Sequence, residues 1–244
     1  MSIPEKTALI TGGCSGIGKA IACELSANGY NIVILDRKIS GTSEIKKVCA
    51  GNNVKVSIIK GDVRKDRSVK KAFKRSLLFG KLELLVNSAG IHFQKPLEKT
   101  SLAQIKEMID INLMGTIKMC KEALVYFKEN RSGIIVNISS GDGLRGQKLS
   151  TAYCASKFGV VGFSQALKEE TKEYGIKVLT ICPGKTDTSM IPLGKSDWMR
   201  KKFLKASDIA NLIVKLVTLP KNIELNEIYI RNVNCPHGNF EEWR

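Results

Sequence analysis

The hydrophobic positions of this chain form short apolar runs that alternate with segments of helical periodicity. Several runs are almost continuously apolar, which is typical of strands buried on both faces of a parallel sheet. The predicted strands span residues 7–11, 31–36, 54–60, 84–87, 133–139, 177–182 and 227–230. Apolar residues three or four positions apart predict helices over residues 17–28, 66–79, 101–128, 151–174 and 207–218. This alternation predicts an α/β fold with a doubly wound, seven-stranded parallel sheet and helices on both faces.

The composition limits the class of protein. The 244 residues, 43% hydrophobic and 25% charged, suit one domain over residues 1–244, and no repeat or linker divides them. No segment approaches the ~20 apolar residues of a membrane span, and the N-terminal residues lack the pattern of a secretion signal. Seven cysteines without a C-x-x-C pair argue against a disulfide framework or a zinc site. We therefore expect a cytoplasmic protein with no metal and no membrane partner.

The formal net charge of +16 admits two interpretations. Binding to nucleic acid would require a continuous basic surface, and its affinity would fall steeply with salt. The lysines are instead spread along the chain, and no aromatic residues interleave with them. We interpret the charge as a lysine-rich solvated surface and expect no nucleic-acid partner.

A glycine-rich loop, TGGCSGIG at residues 11–18, connects the first predicted strand to the first predicted helix. Glycines permit a tight turn and a close approach of the backbone to a pyrophosphate, while the helix N-terminus supplies free N–H donors. This context predicts a Rossmann-type dinucleotide site. The predicted contacts in the loop are Gly12, Cys14, Ser15, Gly16, Ile17 and Gly18.

The end of the second predicted strand bears on the choice of cofactor. The Asp36 carboxylate can accept hydrogen bonds from the adenosine ribose hydroxyls, and it would repel a 2′-phosphate. Arg37 and Lys38 follow it directly, and either cation could neutralise that phosphate. We expect NAD as the preferred cofactor, with Asp36 and Arg37 in the site, and NADP is the alternative.

The wider pattern of motifs resembles the single-domain branch of the short-chain dehydrogenase/reductase family over residues 7 to about 231. The glycine loop matches T-G-x-x-x-G-x-G, and the segment from Tyr153 to Lys157, YCASK, matches Y-x-x-x-K. Residues 87–90, NSAG, match N-N-A-G with Ser88 in place of the second asparagine. Further matches, in chain order, are Asp62 and Val63, Asn112, Ser140, Pro183 and Gly184, and Thr188.

The resemblance implies site residues beyond the glycine loop. The implied cofactor contacts are Asp62, Val63, Asn87, Ala89, Gly90, Tyr153, Lys157, Pro183, Gly184, Thr186 and Thr188. The implied catalytic set is Asn112, Ser140, Tyr153 and Lys157, in which Asn112 holds a water of a proton relay. Ser139 is a competing serine, but the family spacing of thirteen residues before the tyrosine selects Ser140.

The chemistry of this set follows from its residue types. Tyr153 and Lys157 lie four residues apart on a predicted helix, so their side chains share one face. A free tyrosine has a pKa of ~10, and a nearby ammonium lowers that pKa because it favours the phenolate. Ser140 would hold the substrate oxygen while Tyr153 donates or accepts its proton and hydride moves to or from the nicotinamide. The sequence thus predicts an NAD(P)-dependent oxidoreductase of small alcohol or carbonyl substrates.

Two alternatives to this function stay open. One is an NADPH-dependent reductase of 3-oxoacyl or similar carbonyl substrates. The other is a non-catalytic nucleotide-binding regulator, against which the intact catalytic set argues. Residues 185–205 correspond to the substrate lid of the family, and this segment is short, which indicates an open or small pocket. We interpret His92 as a surface or loop residue. By resemblance, helices 101–128 and 151–174 would form a homodimer or homotetramer.

Overall fold

A parallel sheet forms the centre of the computed structural model, which describes residues 6–191, 198–220 and 222–235. Its strands and those of a small second sheet are β1 (Lys6–Thr11), β2 (Asn31–Asp36), β3 (Val56–Lys60), β4 (Lys81–Asn87), β5 (Gly133–Ile138), β6 (Ile176–Pro183), β7 (Thr186–Asp187), β8 (Leu204–Lys205) and β9 (Glu227–Ile230). The main sheet has seven strands in the order β3-β2-β1-β4-β5-β6-β9, and β7 pairs with β8. All of these pairs are parallel, as the apolar runs predict.

Helices cover both faces of this sheet. They are α1 (Gly16–Ala27), α2 (Thr42–Gly51), α3 (Asp66–Leu77), α4 (Leu102–Ile109), α5 (Gly115–Glu129), α6 (Thr151–Thr171) and α7 (Ala206–Val217). On one face α1 packs against α7, with Leu25 and Ile213 fully buried. On the other face α3, α5 and α6 supply a second apolar cluster that includes Val69, Phe127 and Leu167. The predicted α/β fold class is confirmed.

The helix predicted over residues 101–128 is present as unbroken helical backbone from Leu102 to Glu129, but its middle is π-helical, which the prediction did not include. Ser101 caps α4, since its side chain accepts the Gln104 N–H while the Gln104 side chain accepts the Ser101 N–H. A π-helical turn, Asp110–Met114, then separates α4 from α5. The apolar spacing continues through this turn, so periodicity does not reveal it. Such single π turns are frequent at functional sites.

Other boundaries also differ from the sequence prediction. Helix α2 was missed because its ten residues bury only Ile45 and Cys49. Strand β3 begins at Val56 rather than at Val54. Within the predicted lid, residues 192–197 lie outside the described residues, and the flanking segments form β7, a 3₁₀ turn at Trp198–Lys202, and β8.

The strand order determines where the functional loops meet. Strand β1 lies between β2 and β4, so the direction of winding reverses at β1 and β4. In open parallel sheets, ligands bind outside the carboxyl ends of the strands at this reversal. The loops after β1, β2, β4 and β5 lie there, and they contain most of the residues that the sequence indicates.

Two further features bear on the expected class of protein. All seven cysteines are free, and six of them are buried, which agrees with small apolar residues rather than a disulfide framework. Across residues 6–191, 198–220 and 222–235, we find no helix with the length and hydrophobicity that a membrane span requires.

Candidate active site

The glycine loop between β1 and α1 lies against the loop that follows β4. Gly12 has a φ of +67°, and a Cβ atom there would lie 2.8 Å from the Ala89 Cα. The Thr11 hydroxyl accepts the N–H groups of Ser88 and Ala89, each at 3.2 Å. A Cβ atom on Gly18 would lie 2.3 Å from the Gly12 carbonyl oxygen. Only glycines therefore allow α1 and the β4 loop to approach this closely.

A groove of about 490 Å³ runs from this loop across the carboxyl ends of the strands. We call its end at Asp36 and Arg37 the β2 end, and its end at Tyr153 and Lys157 the α6 end. The predicted cofactor contacts that line the groove are Gly12, Ser15, Gly16, Ile17, Asp36, Arg37, Val63, Ala89, Gly90, Tyr153, Lys157 and Thr188. Ser15 makes no side-chain capping bond to α1, so the first N–H groups of that helix fit an anion such as a pyrophosphate.

The backbone holds Asp36 in place at the β2 end. Its two carboxylate oxygens accept the N–H groups of Cys14 and Lys38, both at 3.0 Å. Arg37, the next residue, forms an ion pair of 3.5 Å with Glu107 from α4. The carboxylate is thus fixed, and the neighbouring arginine is already engaged by an acidic side chain.

Glu107 connects Arg37 to a second ion pair. It lies 3.4 Å from Arg64, which in turn lies 2.6 Å from Asp62. Burial raises the pKa of Asp62, but the hydrogen bonds and charge of Arg64 outweigh burial and hold that pKa below its usual range. Asp62 therefore stays ionised, and its visible role is to orient Arg64 behind the groove.

Three predicted catalytic side chains meet at the α6 end. Tyr153 and Lys157 project from α6 and are 8% and 5% exposed. Ser140 follows β5 near Tyr153, where it opposes the rise in the Tyr153 pKa, and its hydroxyl accepts the Asp142 N–H at 3.1 Å. The Lys157 ammonium donates to the Ile138 carbonyl at 2.8 Å and lies 5.7 Å from the centre of the Tyr153 ring.

Burial changes the proton affinities of these groups in opposite directions. It raises the pKa of Tyr153, and Ser140 only partly opposes this effect. It lowers the pKa of Lys157 to about 8. Tyr153 is therefore a protonated phenol at neutral pH, and its ionisation requires positive charge in the groove beyond that of Lys157.

Asn112 lies on the π turn and fastens the β4 loop to the catalytic helix. Its Oδ1 accepts the Ile91 N–H at 2.8 Å, and its Nδ2 donates to the Ile91 carbonyl at 2.9 Å. The same Nδ2 donates to Ser156 Oγ at 3.1 Å, and Ser156 donates to the Tyr153 carbonyl at 2.7 Å. One amide thus connects the loop after β4 to the backbone of Tyr153.

The two serines after β5 have different surroundings. Ser139 is buried and its hydroxyl donates to the Lys157 carbonyl at 3.0 Å, which fastens the β5 loop to α6. Both serines line a second cavity of about 180 Å³, which adjoins the groove at Tyr153, and Ser139 also lines the groove. What separates them is the hydroxyl, because that of Ser139 is engaged by the Lys157 carbonyl, so Ser140 stays the predicted catalytic serine.

The remaining predicted residues lie around the second cavity or behind the site. Pro183, Gly184 and Thr186 line the second cavity rather than the groove. Residues lining neither space are Cys14, Gly18, Asp62, Asn87 and Asn112. Asn87 is buried and donates to Asn137 Oδ1 at 2.9 Å, so its side chain connects β4 to β5 instead of facing the groove.

His92 lies in the loop after β4, as expected, but its ring is largely buried rather than at the surface. Its ring meets the Tyr153 ring edge-on with 4.4 Å between centroids, and it lines both the groove and the second cavity. Burial and, second, the charge of Lys157 lower the pKa of His92 to about 4, so the imidazole is neutral at physiological pH. His92 directly follows Ile91, whose backbone is hydrogen-bonded to Asn112. This position in the chain is the sequence signal that could have indicated His92 as a site residue.

Sequence reasoning also missed Glu107 and Ser156. Ser156 could have been predicted, because it is the serine of the YCASK motif. Glu107 had no local signal, because its partners Arg37 and Arg64 are distant in sequence and meet it only in the folded chain.

Known proteins are similar to this chain in sequence over most of its length. The family model described as short chain dehydrogenase matches residues 6–196. An uncharacterized oxidoreductase of Staphylococcus epidermidis is 33% identical over 232 residues, which cover 95% of this chain and 99% of the relative.

Two solved structures are similar in fold. An alcohol dehydrogenase from the archaeon Thermococcus sibiricus, complexed with 5-hydroxy-NADP, has a TM-score of 0.86 and 28% identity, covering 96% of this chain and 99% of that one. ElxO with NADP bound has a TM-score of 0.83 and 29% identity, covering 93% and 97%. The chain therefore belongs to the short-chain dehydrogenase family of NAD(P)-dependent oxidoreductases.

Proposed function

We propose that this protein catalyses the interconversion of a small alcohol and its carbonyl compound, with Tyr153 as the acid/base. The observation that supports this most directly is that Tyr153 lines both the groove and the second cavity, and that Ser140 lines the second cavity beside it. The groove would hold the cofactor, and the second cavity would hold the substrate. In this proposal residues 1–244 act as one cofactor-binding and catalytic domain.

The residues of the groove suit a nicotinamide dinucleotide. The first turn of α1 and the glycine loop would bind the pyrophosphate, Asp36 the adenosine ribose, and Lys157 the nicotinamide ribose. The bound nicotinamide would supply or accept the hydride. The chain itself supplies binding, orientation and proton transfer.

Proton transfer would take place between Tyr153 and the substrate oxygen. In the reducing direction, the Ser140 hydroxyl donates a hydrogen bond to the carbonyl oxygen, and the Tyr153 phenol gives its proton to that oxygen as hydride reaches the carbon. The Lys157 ammonium stabilises the phenolate that remains, and solvent returns the proton. The raised pKa keeps the Tyr153 phenol protonated, but it also makes the phenol a weaker acid, so proton transfer depends on stabilisation of the phenolate. Oxidation runs the same steps in reverse.

We propose a positioning role for Asn112. Its amide makes three hydrogen bonds to protein groups, on Ile91 and Ser156. Contact with a relay water would therefore fall to its main-chain oxygen, which already accepts a hydrogen bond from the Thr116 hydroxyl at 2.9 Å. The side chain keeps the β4 loop and α6 in register.

We propose NAD as the preferred cofactor. Two backbone N–H groups fix the position of Asp36. Arg37 already forms an ion pair with Glu107, so it is less available to bind a 2′-phosphate. A 2′-phosphate would meet the carboxylate first. The opposing observations are that Arg37 and Lys38 line the groove and that two similar structures contain NADP or its hydroxy derivative. They favour the alternative, an NADPH-dependent carbonyl reductase.

We also propose a homodimer or homotetramer. Apolar side chains on the π turn, α5 and α6 stay exposed, namely Met114 at 40%, Val125 at 64% and Phe158 at 46%. Their surface would be buried against a second copy. Light scattering at micromolar concentration should give a multiple of 26.8 kDa, and a species of 26.8 kDa alone would contradict the proposal.

The proposed activity is tested by following the absorbance of the reduced nicotinamide with a panel of alcohols and ketones. Each compound is assayed with NAD(H) and with NADP(H), and Tyr153→Phe is the matched control. We expect at least one alcohol and ketone pair to be interconverted by the wild type and not by the control. Cofactor binding without turnover of any pair would favour the non-catalytic regulator instead.

A further inference from the structure

Strand β3 is an open edge of the main sheet. Among the described strands its only neighbour is β2. The Ile32 N–H donates to the Lys55 carbonyl. This bond and the register of the two strands determine which β3 residues direct their backbone groups towards β2. In such a ladder alternate residues bond to the neighbour, so the backbone N–H and C=O groups of Val56, Ile58 and Lys60 point away from β2. An open edge of this kind is a template for one more strand.

Helix α3 places a row of cations beside this edge. The exposed cations that line the groove between α3 and β3 are Lys60, Arg67, Lys70, Lys71, Lys74 and Arg75. Asp66 is the acidic residue in the lining, and Lys118 already binds it at 2.6 Å. The fold thus concentrates charges that looked dispersed along the sequence.

These six cations repel one another, and Asp66, the acidic residue of the lining, does not balance them. Arg67 and Lys71, and Lys70 and Lys74, are like charges four residues apart on one helix, which is unfavourable. Within the part of the chain that the structure describes, no carboxylate lies at ion-pair distance from Lys70, Lys71 or Lys74. Arg75 donates to the Ser57 hydroxyl of β3 at 3.1 Å, which draws the helix side chains over the strand edge.

We propose that this groove binds an acidic segment of a partner protein as an added β-strand. The outward backbone groups of β3 would pair with the segment, and its alternate side chains, if acidic, would meet the α3 cations. Side chains on one face of a strand repeat every 6–7 Å, close to the 5.4 Å rise per turn of the adjacent helix. No aromatic side chain lines the groove among the described residues, so it lacks the stacking surface that single-stranded nucleic acid uses.

The first test measures binding of a fluorescein-labelled peptide of ten residues that alternates Glu and Val. Anisotropy with the full chain should show saturable binding that weakens as salt rises. The double variant Lys71→Glu, Lys74→Glu should weaken binding at least tenfold. The matched control is Lys46→Glu, Lys47→Glu on α2, which changes the net charge equally at two exposed lysines and should leave binding within twofold.

The second test separates strand pairing from charge attraction. A peptide that alternates Glu and Pro has the same charge but cannot form a regular strand, and it should bind at least tenfold more weakly. Ile58→Pro removes one outward N–H and no bond to β2, so it should weaken the Glu-Val peptide while the unfolding midpoint confirms an intact fold.

Three results would overturn the proposal. They are an absence of saturable binding of the Glu-Val peptide, equal binding of the Glu-Pro peptide, and tighter binding of a single-stranded RNA decamer or of phosphatidylserine vesicles than of the Glu-Val peptide. None of them bears on the catalytic proposal, because α3 and β3 contribute no residue to that mechanism.

Discussion

At the α6 end of the groove, Tyr153 and Lys157 are buried, and the Lys157 ammonium donates to the Ile138 carbonyl at 2.8 Å, whereas at the β2 end the side chains of Arg37 and Glu107 are 40% and 43% exposed and form an ion pair. At the buried end, packing and low exposure to water fix the positions of the side chains. At the β2 end only the sum of the exposed charges is set, and solvent screens the interactions between them. Substitutions at the first end should therefore remove chemistry, and substitutions at the second should shift preference.

The largest expected effect is at Tyr153. In Tyr153→Phe the ring stays packed against His92 and only the phenol oxygen is lost. Because that oxygen is the proposed proton donor, kcat should fall about 10³-fold. Cofactor affinity, measured by fluorescence titration, should stay within about threefold of the wild type by the same division of roles. A residual kcat within about tenfold of the wild type would remove Tyr153 from the mechanism.

The next effect is at Lys157. In Lys157→Met a chain of similar length fills the space, but the ammonium beside Tyr153 is lost and the Ile138 carbonyl loses its donor. Both kcat and cofactor affinity should suffer, kcat by about 10²-fold, since the residue has two proposed roles. Unchanged cofactor affinity would exclude the ribose contact. Lys168→Met, at a partly buried lysine of α6 that pairs with Glu224 away from the groove, is the control and should leave kcat unaltered.

His92 gives a pH test of burial at the α6 end. Its folded pKa of about 4 lies below the ordinary 6.5, so the unfolded chain binds the proton more tightly. The contribution to stability is complete above pH 6.5 and is lost as pH falls from 6.5 towards 4. Urea unfolding at several pH values should show His92→Phe losing less stability than the wild type in that window, by up to about 3 kcal/mol. If the free energy of unfolding fell by the same amount in both proteins between pH 6.5 and 4, His92 would not be buried as described.

These residues also show what the sequence could not predict. The glycine loop, YCASK and the strands were predictable, because local spacing and apolar runs specify them. The π turn was not, because its apolar residues continue the helical pattern on both sides. The contact of His92 with Tyr153 and that of Glu107 with Arg37 join segments distant along the chain, so only the fold brings them together.

The smallest effect is expected at the β2 end. Asp36→Ala should raise kcat/KM for NADP(H) relative to NAD(H) about tenfold, because the charge that opposes a 2′-phosphate is lost. Steady-state kinetics at saturating substrate should show little change in kcat with NAD(H). Asp36→Asn loses the same charge but keeps an acceptor for the Cys14 N–H, so it should shift the preference to a similar extent, whereas Asp36→Glu keeps the charge and is the control. A wild type that prefers NADP(H) by tenfold or more would mean that Arg37 or Lys38 governs this end.

The central claim is that the α6 end performs hydride and proton transfer on a carbonyl group. The most direct measurement uses reduced cofactor with deuterium at both hydrogen positions of nicotinamide C4, a panel of ketones, and mass spectrometry of the alcohols formed. The account predicts one deuterium on the carbinol carbon of a product made by the wild type, and no product above background with Tyr153→Phe. Cofactor oxidation without label in any alcohol, or equal labelling by the two proteins, would contradict it.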